Sequence, residues 1–233
     1  GVLAEEVILP EDGVIHTPAG LTDEEAATLP CAALTAWHAL TLPCPVKSGE
    51  TVLLLGTGGV SVFAQQFCTM MGARTIVTSS SDDKLEKMKA LVPSEFINYR
   101  TNPEWDAVVL ELTAGSGVDR VVEVGGPETF DRSVNAVRVG GTIGLIGVLT
   151  GVSGATNPTP IMAKSITVKG IYVGSRAMFG DMNRAIEAHN LKPMIDQTFD
   201  FKDARSAYHA MRGAGHFGKL VIIILKSTKI PYY

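Results

Sequence analysis

"VLLLGTGGVS", Val52 to Ser61, runs four apolar residues straight into a glycine-rich turn. A buried strand that ends in glycines and opens a helix presents N–H groups and a positive dipole end on which a phosphate can sit. Gly56 allows the tight turn, Gly58 lets the backbone approach a pyrophosphate, and the helix begins at about Val60. The usual third glycine permits close packing of helix on strand; Ser61 stands in its place and is small enough to serve. Glycine turns between strand and helix are common, so the weight of this one comes from the rhythm of the chain around it.

From Thr51 onward, strand-like and helix-like segments alternate. Strands are expected at Thr51–Leu55, Arg74–Thr78, Glu95–Asn98, Asp119–Val124, Thr142–Ile146 and Thr167–Val173. Helices are expected at Val60–Met71, Asp82–Leu91, Pro103–Thr113, Pro127–Val137 and Met178–His189. Alternating apolar strands and helices predict an α/β fold with a doubly wound parallel sheet, the Rossmann class. Helix starts carry their own signals: Ser81 or Asp82 as N-cap, Asn102 as cap with Pro103 near N1, and Pro127 in the same role. After His189 the rhythm becomes strand, helix, strand, ending in "GKLVIIIL", and these elements either extend the sheet or pair outside it. Leu149–Lys164, rich in Gly, Ser, Thr and Pro, reads as a long loop.

Composition narrows the function classes. The 233 residues suffice for one large α/β domain or one domain and a fraction of another. Lys and Arg total 20 against 24 acids, and no basic stripe with interleaved aromatics appears, which argues against nucleic acid. Three cysteines, Cys31, Cys44 and Cys68, without close ligand spacing fit a reducing, cytoplasmic setting better than a disulfide scaffold. The longest apolar run, Leu220–Leu225, is too short to span a bilayer and reads as a buried strand. "GVLAEEVILPED" at the start has no leader pattern and reads as the last strand of something that began earlier, so a fragment is expected.

The identity of the nucleotide is a question of charge. NAD sites place Asp or Glu at the end of the second strand, about 20 residues after the glycines, on the ribose 2′-OH. Here that position falls at Ser79 or Ser80 in "TSSSDDK". Hydroxyls with Lys84 nearby suit a 2′-phosphate that a carboxylate would repel, so NADP is favoured over NAD.

"EEAATLPCAALTAWHAL", "LGTGGVSVFAQQF", "GARTIVTSSSDDKLEKMKAL", "INYR", "GVDRVVEVGG", "GLIGVLTG", "GSRAMFGDMNRAIEAH" and "HFGKLVI" together resemble the medium-chain dehydrogenase/reductase superfamily. Within it the chain is most similar to quinone oxidoreductase-like and zinc-type alcohol dehydrogenase-like proteins, over nearly its whole length. The resemblance implies a two-domain enzyme: residues 1–27 close a GroES-like catalytic domain, 28–190 form the NADP-binding Rossmann domain, and 191–233 return to the catalytic part. It places Thr35 near the nicotinamide and Gly56, Gly58, Gly59 and Val60 around the pyrophosphate. Ser79, Ser80, Lys84 and Tyr99 would surround the 2′-phosphate. Gly125, Ile146, Gly147 and Val148 would line the dinucleotide, with Val173, Gly174, Ser175, Phe217, Gly218 and Lys219 closing over the nicotinamide end. Relatives often dimerise through the sheet edge near strand six, so a homodimer is expected, with an exposed apolar face where a first domain would dock.

Cys31 matches a zinc-ligand position of zinc alcohol dehydrogenases, but a catalytic zinc needs three protein ligands, and the favoured reading is a small packed thiol with no metal. "GAGHFGKL" from Gly213 nearly spells a P-loop, yet Leu220 stands where a hydroxyl belongs and the motif precedes a strand. Tyr172 and Tyr208 are each followed four residues later by Arg, so the short-chain dehydrogenase Tyr-x-x-x-Lys pair is absent. His38 reads as a satisfied, partly buried histidine, and His189 and His216 as surface or cap residues. The expected activity is NADPH-dependent hydride transfer to a small-molecule carbonyl, enone or quinone, with no residue of this chain named as catalytic. The alternatives are a zinc-dependent alcohol dehydrogenase and a dinucleotide-binding module without turnover.

Overall fold

The computed structural model describes residues 2–224. A short α1 (Asp23–Ala26) carries a capping box at Thr22 and Glu25, and a π-type turn over Leu29–Ala33 leads into α2 (Leu34–Thr41). The strands and helices then alternate: β1 (Thr51–Leu55), α3 (Gly59–Met70), β2 (Arg74–Ser79), α4 (Asp82–Leu91), β3 (Glu95–Asn98), α5 (Trp105–Leu112), β4 (Val118–Glu123), α6 (Pro127–Ala136) and β5 (Val137–Leu145). Next come α7 (Thr159–Ala163), β6 (Thr167–Gly170), α8 (Arg176–His189), β7 (Ile195–Asp200), α9 (Ala204–Arg212) and β8 (Lys219–Ile223). Six strands form one sheet in the order β3-β2-β1-β4-β5-β6, parallel throughout. That is the doubly wound dinucleotide-binding order.

The sheet buries both faces, as parallel sheets do. Successive side chains of a strand point to opposite faces, so β1 divides cleanly. Val52 and Leu54 join a core with Ala36, Phe63, Phe67 and Ile186, whereas Leu53 and Leu55 join a second core with Trp105, Val109, Phe130 and Val134. On the first side Phe67 stands edge-on to Trp37 at 5.4 Å and stacks with Phe63 at 6.0 Å, which locks α2 to α3.

Arg120 on β4 fixes α2 to the sheet from below. It is 3% exposed, and its guanidinium donates to the carbonyls of Ala39, Leu42 and Cys44 at 2.7, 2.9 and 2.7 Å. A cation at a helix C-terminus is favourable, and the carbonyls replace water at the two terminal nitrogens, while Nε has no partner among the described residues.

Several boundaries differ from expectation. The opening segment is exposed and forms no strand among the described residues, because no neighbouring strand takes its hydrogen bonds; only a 3₁₀ turn at Glu11–Gly13 interrupts it. Asn102 and Pro103 lie in a turn, and α5 starts later with Glu104 as N-cap. β5 begins at Val137 and carries extra residues through Gly140 and Gly141, which bulge where the register with β4 shifts between Val118 and Arg120. The loop at 149–164 contains α7, held because Ile161 packs against the second core. β6 stops at Gly170, and Val173 turns into a left-handed φ of +50°. β7 and β8 pair with each other in a separate parallel sheet. β8 is mostly half-buried rather than buried, and Leu225 of the expected strand lies outside the described residues. Exposed large apolar residues gather at Val2, Leu3, Val7, Ile8, Leu9 and at Val148, Leu149, Val152. No described helix is long and apolar enough to cross a membrane.

Candidate functional site

β1 lies between β2 and β4, and its chain turns at Gly56 into α3, so the glycine turn sits at the crevice where the strand order reverses. Gly56 has φ +76°, a conformation that favours glycine, and its N–H donates to the carbonyl of Thr78 at 2.8 Å. Gly58 is the N-cap of α3 and offers no side chain to cap it. The first helical bond runs from the Val62 N–H to the Gly58 carbonyl at 3.0 Å, which leaves the N–H groups of Gly59, Val60 and Ser61 ahead of the ladder. Space stays open where a Cβ on Gly56 or Gly58 would stand. An uncapped helix N-terminus beneath a turn left open at Gly56 and Gly58 fits a pyrophosphate.

Ser61 faces the other way. It is 2% exposed, and its hydroxyl donates to the Leu55 carbonyl at 2.6 Å. The residue in the third glycine's place therefore ties α3 down onto β1, which is the packing role expected of it.

The C-terminal segment reaches this turn. Gly218 forms a bridge with Gly58, and its N–H donates to the Thr57 carbonyl at 3.2 Å. A Cβ on Gly59 would stand 2.6 Å from Cδ of Lys219 and 3.1 Å from Cβ of Ala32, so β8 and the π-type turn approach this glycine closely, and a larger residue would push the Lys219 side chain aside. Phe217 is buried, and its N–H donates to Asp196 at 3.2 Å. Phe217, Gly218 and Lys219 are thus gathered against Gly58 and Gly59.

At the end of β2, Ser79 is 3% exposed and its hydroxyl accepts from the Ser81 N–H, while Ser80 is half-buried. Ser81 caps α4 by accepting from the Lys84 N–H. Tyr99 is exposed at its side chain and donates its N–H to the Ser79 carbonyl at 3.0 Å, which gathers Ser79, Ser80, Lys84 and Tyr99 at one sheet end. Lys84 also has a partner that the sequence did not suggest: its ammonium donates to the Ala214 carbonyl at 2.7 Å. His216 sits in the same segment, and burial, then Lys84 and Lys219, lower its pKa against the opposing pull of Asp196.

Thr35 is buried on α2, and the segment at 173–175 crosses that helix. A Cβ on Gly174 would stand 2.8 Å from Leu34, and His38 Nδ1 lies 2.9 Å from the Val173 carbonyl. His38 is thus satisfied, as expected. Ser175 accepts from the Met178 N–H and caps α8. Val173, β-branched and at positive φ, holds a strained conformation, and it falls among the residues expected over the nicotinamide.

After β4 and β5, Gly125 and Ile146–Val148 form adjoining turns: the Gly125 carbonyl accepts from the Thr150 N–H at 2.9 Å. Sequence reasoning passed over Glu123, a fully buried carboxylate at the root of these turns. The only signal was a carboxylate in "VVEVGG" with hydroxyls at Thr129 and Ser133 downstream.

Cys31 is exposed, not a packed thiol, because Leu29, Ala32 and Ala33 take the inward side of the π-type turn. Among the described residues no three His, Cys, Asp or Glu side chains converge as metal ligands. This part of the chain therefore does not supply a catalytic zinc's three ligands by itself.

The zinc-binding dehydrogenase family profile matches residues 59–188. A zinc-type alcohol dehydrogenase-like protein from Schizosaccharomyces pombe is 41% identical over 230 residues, covering 96% of this chain and 66% of the relative. A solved NAD-dependent alcohol dehydrogenase superimposes with a TM-score of 0.88 at 33% identity, over 97% of this chain and 66% of its own. Mycobacterial Rv1454c complexed with NADPH superimposes at 0.78 and 27% identity, over 89% of this chain and 66% of its own. The chain spans just under two thirds of the curated relatives it matches, 66% of the first and 65% of a second. With its sheet order, its glycine turn and the matched span in agreement, the chain belongs to the medium-chain dehydrogenase/reductase superfamily, in the zinc-binding dehydrogenase family.

Proposed function

We propose that this chain is the nucleotide-holding part of an NADPH-dependent oxidoreductase that passes hydride to a small carbonyl, enone or quinone. The observation that carries the reading is the open glycine turn at the uncapped N-terminus of α3, with hydroxyls rather than a carboxylate at the end of β2. Gly58, Gly59 and Val60 hold the pyrophosphate, and Ser79, Ser80, Lys84 and Tyr99 meet the adenosine end. Lys84 has three donors, and one bond to Ala214 leaves others for a phosphate. The nicotinamide supplies the hydride chemistry when bound; the protein orients it and keeps water from it. Thr35 and residues 173–175, brought together across α2, are the residues this reading assigns to that ring. Among solved neighbours one is described as NAD-dependent and another holds NADPH, so 2′-phosphate recognition rests on the residues of this chain.

Titration of NADPH and NADH against tryptophan fluorescence, on native protein and on Ser79→Asp, tests this. NADPH is expected to bind at least tenfold more tightly, and the variant to reverse the order, since a carboxylate repels the 2′-phosphate and accepts from a ribose hydroxyl. Equal affinity for both nucleotides in the native protein would refute NADP selectivity, and binding of neither would refute the site. The exposed strand β6 at the sheet edge leaves its outer side open for pairing with a second copy, and the native mass in solution tests that dimer.

A further inference from the structure

Glu123 ends β4 with none of its surface exposed. A buried carboxylate is costly unless its lone pairs are filled, and here protein donors fill them. Its Oε1 accepts from the N–H groups of Gly125 and Gly126 at 2.8 and 3.0 Å and from the Thr129 hydroxyl at 2.7 Å. Its Oε2 accepts from the Ser133 hydroxyl. The same residue's backbone carbonyl accepts from Ile146 and Gly147 N–H groups at 2.8 and 3.2 Å. One residue therefore fastens two turns, the first through its side chain and the second through its main chain. Gly126 holds φ +104° and ψ −141°, a conformation that other residues rarely adopt, and two of the Glu123 bonds flank it.

We infer that Glu123 is a positioning residue for the nicotinamide half of the site, setting the Gly125 turn against the Ile146–Val148 turn without touching the ligand. The inference rests on the nucleotide reading above. In a doubly wound sheet each half binds one mononucleotide, and β4 and β5 belong to the half opposite the adenosine. Loss of the carboxylate should therefore weaken a whole dinucleotide while leaving an adenosine-only ligand unaffected.

The experiment measures dissociation constants of NADPH and of 2′,5′-ADP for the native chain, Glu123→Gln and Glu123→Leu. The Gln amide oxygen takes over the bonds of Oε1, and its NH₂ faces Ser133, whose hydroxyl can accept; both affinities are expected within threefold of native. Leu keeps the volume but removes every acceptor. NADPH is expected to weaken on the order of tenfold, the fold-change of one charge-assisted hydrogen bond, with 2′,5′-ADP within twofold. If Glu123→Leu does not fold, Thr129→Val removes one donor to the carboxylate, and the same selective loss is expected at roughly threefold. Parallel weakening of both ligands, or no weakening of either, would overturn the positioning role. A native chain that binds neither ligand would overturn the nucleotide reading itself.

Discussion

Replacing Ser61 with the glycine that the phosphate-binding pattern usually carries should destabilise this protein. Ser61 is 2% exposed, and its hydroxyl reaches the Leu55 carbonyl at 2.6 Å. Ser61→Ala removes a buried hydrogen bond, a loss of about 1 to 2 kcal/mol, and recovers roughly 0.5 kcal/mol of helix propensity. The expected net cost is about 1 kcal/mol. Ser61→Gly removes the same bond and, glycine being roughly 0.5 kcal/mol worse than serine in a helix, costs about 2 kcal/mol. Urea unfolding should show native, Ala and Gly in falling order of midpoint with an unchanged slope. Nucleotide affinity of both variants should stay within twofold, because the hydroxyl is bound to Leu55 and only the N–H is left at the free start of α3. A glycine variant as stable as native would refute the packing role. Tenfold loss of nucleotide affinity in Ser61→Ala would show that the hydroxyl serves the ligand instead.

Burial and pairing also set the response to acid and to thiol reagents. Burial raises the Asp106 pKa, but hydrogen bonds from Asn135 and from Arg132 outweigh it and hold the carboxyl below its ordinary value. A carboxylate depressed in the folded state stabilises it above the unfolded pKa, and that contribution is lost as pH falls through the folded value. Stability should therefore decline on acidification below about pH 4; Arg132→Met should flatten that decline and lower stability at pH 7 by roughly 1 to 2 kcal/mol, measured by urea unfolding at several pH values. The thiols should divide by burial: Cys31 and Cys44 are exposed, whereas burial pushes Cys68 up to about 12. A coloured disulfide reagent should titrate two thiols of the native protein rapidly and the third only in denaturant, and rapid reaction of all three would contradict the packing of α3.

What the sequence revealed was whatever depends on neighbours along the chain. Thr51–Leu55 and Glu95–Asn98 fall where the apolar runs put them, and Ser81 caps α4 as its acids and lysines suggested. What stayed hidden depends on partners far away. Nothing local tells that β7 pairs with β8, that Lys84 reaches across 130 positions to Ala214, or that the "TPIMA" segment is held as helix by placing Ile161 on a core. The same division runs through the site. The glycine turn announces itself because its role is one of backbone shape. Glu123 does not, because an acid at a strand end looks like a surface residue until four donors, two of them hydroxyls six and ten residues on, are found closed around it. The two turns it joins come from different strands, so either one alone would read as an ordinary loop. Their relation is set by one carboxylate and one carbonyl of a single residue, a link that appears only once β4 and β5 lie side by side in the sheet.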